Sequence, residues 1–198
     1  MSRRRQEVYY YNTAEIFETE RFAACFLGML LDEMKRQKKT KTLFLCIGTD
    51  RSTGDSLGPL IGYKLKDHPI PHAKVLGTLE QPVHAMNMER ILDGMRKNYA
   101  DHVIVAVDAS VGDSEHIGYA TLGKGAIKPG LGVSKELTAV GDLFITGIVG
   151  SSHNPDPMML HSVRLSVVMR LADCISKSVV LGMNIMEKHV ENFYGLPS

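Results

Sequence analysis

The sequence predicts a three-layer α/β (αβα) fold, with a mostly parallel sheet flanked by helices on both faces. Three observations predict it. Unbroken apolar runs of strand length, Thr42 to Ile47, His102 to Val107 and Leu143 to Val149, suit a sheet covered on both sides. Stretches with apolar residues at helical spacing lie between them, as in Phe17, Phe22, Phe26, Met29, Leu30 and Met34. The two kinds of segment alternate along the chain, the pattern of α/β architecture.

Taken in order, residues 1–12 read as irregular. Thr13 is placed to cap a helix whose first turns carry Glu15 and Glu18, and whose end falls in the polar run Arg36 to Thr40. The first strand is Thr42 to Ile47. Pro59 suits the first turn of a helix running to Lys66, closed by Pro69 and Pro71. Lys74 to Leu79 reads as a second strand, and Asn87 as the cap of a helix through Ile91, Leu92 and Met95. His102 to Val107, HVIVAV, is the most strand-like run. Gly118 to Leu122 reads as a short strand, followed by a glycine-rich turn region from Gly123 to Gly132 and a short helix from Ser134 to Leu137. After the strand Leu143 to Val149 and a loop from Ser151 to Pro157, the remainder is helical by spacing. Interruptions are expected at Ser176-Lys177-Ser178 or Gly182. No repeat, linker or low-complexity segment divides the chain, so residues 1–198 read as one domain with an N-terminal tail and helix over residues 1–40.

The 198 residues suffice for one domain with a substantial core. The formal net charge of +1 lacks the basic footprint of a nucleic-acid binder. Arg3-Arg4-Arg5 is followed by no apolar signal-peptide core and reads as a solvated tail, and no run is long enough to cross a bilayer. Cys25, Cys46 and Cys174 are scattered and odd in number, which fits free thiols in a reducing compartment. The expectation is a cytoplasmic protein with neither nucleic acid nor membrane as partner, free to form a homo-oligomer.

Two acids stand at the ends of two predicted strands, Asp55 in the loop after the first and Asp108 after HVIVAV. In open α/β sheets ligands gather outside the carboxyl ends of strands. Two carboxylates in one cleft share a proton; the ionised one activates water and the protonated one donates to a carbonyl. That is acid/base equipment for amide hydrolysis. The bland reading of any one Asp at a strand end is a cap or turn. It is preferred for Asp50, and spacing alone leaves both readings open for Asp108, where Ser110 and Gly112 would make a turn.

Other chemistries fit less well. Gly48 and Gly54 are one residue too far apart for a P-loop, and Asp55 stands where its lysine belongs. Metal catalysis needs about three converging ligands. The histidines, including His84, His116 and His153 in predicted loops, read mostly as surface groups, and neither metal nor cofactor is expected. No serine lies in GxSxG, although a Ser110–His84 pair is left open. Cys46, inside a strand, should be inert. Gly130 and Gly132, in Lys128-Pro129-Gly130-Leu131-Gly132-Val133, fit either a tight turn or a loop whose backbone N–H groups approach a ligand.

Three segments, CIGTDRSTGDSLGP (Cys46 to Pro59), AVDAS (Ala106 to Ser110) and KPGLGVSKELTAVGDLFITGIV (Lys128 to Val149), resemble the YyaC family of sporulation proteins, described as spore proteases. That family is similar to the germination protease, which cleaves small acid-soluble spore proteins. The germination protease has a comparable glycine loop ending in Asp-x-Leu-Gly-Pro, a second aspartate after a strand, and a Pro-Gly-x-Gly-Val loop. The resemblance implies an aspartate-dependent endopeptidase on a phosphorylase/hydrolase-like fold, with Asp55 and Asp108 as the catalytic pair. The germination protease's glycine loop falls on Pro129 to Val133; Gly130 and Gly132 are expected to help hold the substrate backbone, and Asp50 and Ser110 are second-rank candidates for orienting the pair. The family is similar as well to hydrogenase maturation endopeptidases, whose metal ligands are two acids and a histidine. The acids fall on Asp55 and Asp108, but the histidine falls on or near Pro129, so a metal-free pair is the expectation. The implied partner is a peptide or protein substrate, a spore protein among the candidates, in the sporulating cell or forespore. A non-catalytic binding or regulatory protein and a metal-dependent maturation endopeptidase are the alternatives.

Overall fold

The computed structural model describes residues 7–15, 17–129, 138–153 and 159–194. Six strands form one sheet, β1 (Val8–Asn12), β2 (Lys41–Cys46), β3 (Ala73–Leu76), β4 (His102–Gly112), β5 (Tyr119–Lys124) and β6 (Leu143–Ser151). Their spatial order is β1-β5-β6-β4-β2-β3. The pairs β2–β3, β2–β4 and β4–β6 are parallel, whereas β5 runs antiparallel to β6 and β1 antiparallel to β5.

The helices are α1 (Thr19–Gln37), α2 (Leu57–Lys66), α3 (Met88–Asn98), α4 (Met159–Ser162) and α5 (Leu165–Tyr194). Side chains alternate across a strand, and β4 sorts its own. Val103, Val105, Val107 and Ala109 join a core with Phe26, Leu30, Ile61 and Leu171 of α1, α2 and α5. Ala106, backed by Ile104, packs on the other face with Leu92 and Met95 of α3. By the same alternation Asp108 belongs to the α3 face. No helix among the described residues is long and apolar enough to cross a membrane.

The connection after β2 leads through α2 to β3, whereas the chain leaves β4 toward β5 and β6 on the other side. The sheet therefore reverses its winding between β2 and β4, and the crevice at such a switch point is the general ligand position of open α/β sheets.

Several expectations are corrected. Residues 8–12 form the edge strand β1, because Tyr11 packs its ring on Phe22 at 4.9 Å while the backbone pairs with β5. Thr13 does not cap a helix; its hydroxyl donates to Gly118 O at 2.6 Å, and α1 starts only at Thr19. Strand β3 stops at Leu76, since Gly77 turns the chain with φ +89. Asn87 does precede α3, but its side chain accepts from His84 N–H and donates to Pro82 O, so it ties the preceding loop. The last helical region breaks at Val163–Arg164, and α5 runs unbroken through Ser176 and Gly182. Ser176 is accommodated by a back-bond to Asp173 O, and Gly182 by a close approach to Ala23 of α1. The turn and helix expected over residues 130–137 lie outside the described residues, as does most of the loop that ends at Pro157.

Helix α2 begins almost on the end of β2. A Cβ at Gly58 would stand 2.0 Å from Ile47 O, a backbone atom that cannot swing away. Gly94, on α3, has open space where a Cβ would go. Gly58→Ala should therefore destabilise the protein by roughly 1–3 kcal/mol or more through forced overpacking, whereas Gly94→Ala should stabilise it by about 0.5–1 kcal/mol through helix propensity. Paired thermal melts would read these as shifts of opposite sign, and equal shifts would show that α2 does not rest on the strand as described.

Candidate active site

The loop after β2 is folded back onto the strand that launches it. Gly48, at φ +137, donates to Val83 O at 2.8 Å, and a Cβ there would stand 2.0 Å from Asp55 O. Thr49 N–H donates to Asp55 O at 3.1 Å, and the Ser56 hydroxyl closes a 3-10 turn, Gly54–Ser56, on Thr53 O at 2.6 Å. Asp55 is thereby returned to the end of β2, immediately before α2, whose N-terminal dipole favours an anion. Ile47 N–H in turn donates to Val107 O at 2.7 Å. The end of β2 is thus fastened to β4 one residue before Asp108.

Asp108 does not end its strand, contrary to the sequence reading. Strand β4 runs on to Gly112 because β6 continues beside it, pairing Asp108 with Thr146 and Ala109 with Gly147, with a register irregularity at Ser110/Val111. Asp108 lies inside the β4–β6 ladder, one step beyond the last paired residue of β2.

The electrostatics separate the two acids. Burial raises the Asp108 carboxyl well above the ordinary carboxylate range, and the negative charge of Asp55 raises it further. The Ala109 N–H, donating to Asp108 Oδ1 at 2.8 Å, opposes this only in part. Asp55 is also raised by burial, but a backbone hydrogen bond from Thr49 and the nearby His84 both favour its charged form. Both influences favour the proton more strongly on Asp108 than on Asp55.

Of the other residues singled out in the sequence, Asp50 is exposed in a turn, and Gly130 and Gly132 lie outside the described residues. Ser110 is on the Asp108 face, its hydroxyl 3.0 Å from Thr146 Oγ1. It does not pair with His84, whose Nδ1 accepts from Met86 N–H at 3.3 Å. Cys46 is fully buried, which pushes its thiol pKa up and its reactivity down. All three cysteines are free.

Sequence reasoning read His84 as a loop histidine and, at most, a partner for Ser110, and it passed over the pair Thr121 and Thr146. His84 follows Val83, which bridges to Ile47, so that pairing carries it to the site. A signal for Thr146 alone was visible: one hydroxyl side chain inside LFITGIV, where every neighbour is apolar or glycine.

A family model described as "Protein of unknown function (DUF1256)" matches residues 10–178. The chain belongs to the DUF1256 family. The uncharacterized protein YyaC of Bacillus subtilis (strain 168) is 40% identical over 167 residues, which span 84% of this chain and 82% of that protein. The resemblance drawn from the three motifs is thus upheld. Among solved structures, the NiFe hydrogenase maturation protease HycI from Thermococcus kodakarensis KOD1 matches with a TM-score of 0.52, covering 78% of this chain and 99% of HycI. At 18% identity that likeness concerns the fold, which this DUF1256 member shares with a protease.

The metal suggested by similarity to maturation endopeptidases was tested on the donor set. Among the described residues no group of three His, Cys, Asp or Glu side chains could hold a metal ion. The third ligand expected from that similarity falls on or near Pro129, and the Pro129 side chain itself has no donor atom. The described residues of this family member do not fit such a centre.

The raised Asp108 carboxyl has a consequence for stability. The folded state holds its proton to higher pH than the unfolded chain, so folded stability is undiminished below the unfolded carboxylate pKa of about 3.9 and falls as pH rises through the folded value. Asp108→Asn should abolish that decline. Its thermal unfolding at pH 7–8 should shift upward by the equivalent of about 1 kcal/mol, and the gain should vanish near pH 3. An equal shift at both pH values would show that Asp108 carries no such proton.

Proposed function

We propose that this protein is an endopeptidase in which Asp55 and Asp108 act as an acid/base pair around one water. The supporting observation is the buried Asp108 carboxyl under the direct electrostatic influence of Asp55 at the switch point of the sheet. Asp55, ionised, takes a proton from the water as it attacks the scissile carbonyl carbon. Asp108, protonated, gives its proton to the carbonyl oxygen. The resulting gem-diol collapses as Asp55 passes its acquired proton to the leaving amine, and Asp108 recovers a proton from the diol. Protons balance over the cycle, and the pair returns to its starting state.

The substrate class offered is a peptide or protein of the sporulating cell. It rests on the resemblance of the Asp55 loop and the Asp108 segment to the germination protease, and on a fold held in common with a protease. Incubation of the purified chain with extracted spore proteins and with a peptide library tests the proposal. Wild type should cleave, and Asp55→Asn and Asp108→Asn should each lose roughly 10³-fold in rate. Equal turnover in the variants, or none in wild type, would sink the enzyme and leave a binding or regulatory protein.

The pH dependence of kcat/KM should be bell-shaped. Its acid limb reports protonation of Asp55 and its alkaline limb loss of the proton from Asp108. Both pKa values are raised by burial, so both limbs should lie above the ordinary carboxylate range. A profile that rises monotonically with pH would exclude a proton-sharing pair.

A further inference from the structure

Beside Asp108 the α3 face of the sheet carries a groove of about 540 Å³ over β4, β6, β5 and β1. Strand register lays out its floor. Asp108 pairs with Thr146, Thr146 with Thr121, and Thr121 with Tyr10, so these four stand in one row across the strands. The Thr121 and Thr146 hydroxyls are 2.6 Å apart, and the Ser110 hydroxyl is 3.0 Å from Thr146 Oγ1. Thr121 and Thr146 are only 4% and 7% exposed. Phe144, Ile148 and Val8 flank the row, and Asp113, His116 and Lys128 lie among the remaining lining residues.

Proton counting makes the row informative. Three hydroxyls bring three donor protons. Two links use two of them. In every arrangement one O–H is left over, on an end hydroxyl or on the middle one, with open lone pairs elsewhere in the row. An aliphatic side chain laid on the row would strip water from that last donor without replacing it, at about 1–3 kcal/mol. A charged side chain would find no opposite charge in the row itself and would have to turn away from it to reach Asp113 or Lys128 elsewhere in the groove. A neutral side chain that both donates and accepts satisfies the row.

The geometry points to the Ser110–Thr146–Thr121 row as a specificity subsite for the substrate residue beside the scissile bond, selecting serine, threonine, asparagine or glutamine there. This rests on the peptidase reading for the substrate being a peptide, since Asp108 lines the same groove. It names the substrate class that the acid pair alone does not.

Quenched fluorescent peptides varied one position at a time around the cleaved bond provide the test. At one position wild type should favour the four neutral polar residues over leucine, valine, glutamate and lysine by at least ~10-fold in kcat/KM, since a site built to hydrogen-bond rejects analogues that cannot. The double variant Thr121→Val, Thr146→Val should lose that preference, with valine- and leucine-bearing peptides gaining on the polar set, and a cooperative thermal melt with unchanged far-UV circular dichroism should show that it folds. An unchanged ranking in the double variant, or a wild-type ranking led by charged or aliphatic residues, would overturn the subsite and leave the acid pair standing. If wild type cleaves none of the peptides, the peptidase reading falls instead. Fluorescence anisotropy with the same peptides then decides the subsite: tighter binding of the polar set, lost in the double variant, upholds it, and equal binding of all sets overturns it.

Discussion

The structure depends on how closely helix α2 and its preceding turn press on the end of β2. Carbonyl oxygens of Ile47 and Asp55 occupy the space that side chains at Gly58 and Gly48 would need. A glycine there is a clearance, and the clearance sets where the Asp55 loop ends. The loop is then fixed from both sides, by Thr49 N–H on Asp55 O and by Gly48 N–H on Val83 O. Two residues identifiable in the sequence as glycines thus help bring a carboxylate on a loop within electrostatic influence of one on a strand.

Placing the pair where the winding of the sheet reverses gives each acid a different surrounding. Asp108 sits inside a ladder, 5% exposed, with one backbone N–H to satisfy it. Asp55 is less enclosed and receives favourable influence from Thr49 and His84. Two chemically identical side chains thereby hold their protons unequally, Asp108 more firmly than Asp55, and such inequality is what acid/base catalysis requires. The face they share continues into the hydroxyl row, so the proposed chemistry and the proposed recognition lie on adjoining parts of one sheet surface.

Much of this was legible in the sequence for identifiable reasons. The unbroken apolar runs gave β2, β4 and β6 because strands covered on both faces have nothing polar to alternate with. Pro59 marked the first turns of α2, and the spacing of Phe22, Phe26 and Leu30 marked the face of α1 that enters the core. Strand β1 was missed because Val8 to Asn12 is an edge strand. Its identity comes from pairing with β5 and from ring contacts of Tyr11, neither of which is local. The true length of β4 was missed because Ser110 and Gly112 look like a turn, while the partner that keeps them extended, β6, lies more than thirty residues downstream. At the site the acids were readable from their motif. The hydroxyl row was not, since Thr121 and Thr146 meet only through strand register.

Strand β4 outruns β2, and one acid stands on the overhang while the other hangs from a loop. The main chain around Asp108 is held by β6, which leaves it little latitude. Asp55 is carried by a short arc anchored at its two ends. The gap between the two side chains is therefore set by two different fastenings, a strand ladder on one side and a pair of backbone hydrogen bonds in a short arc on the other.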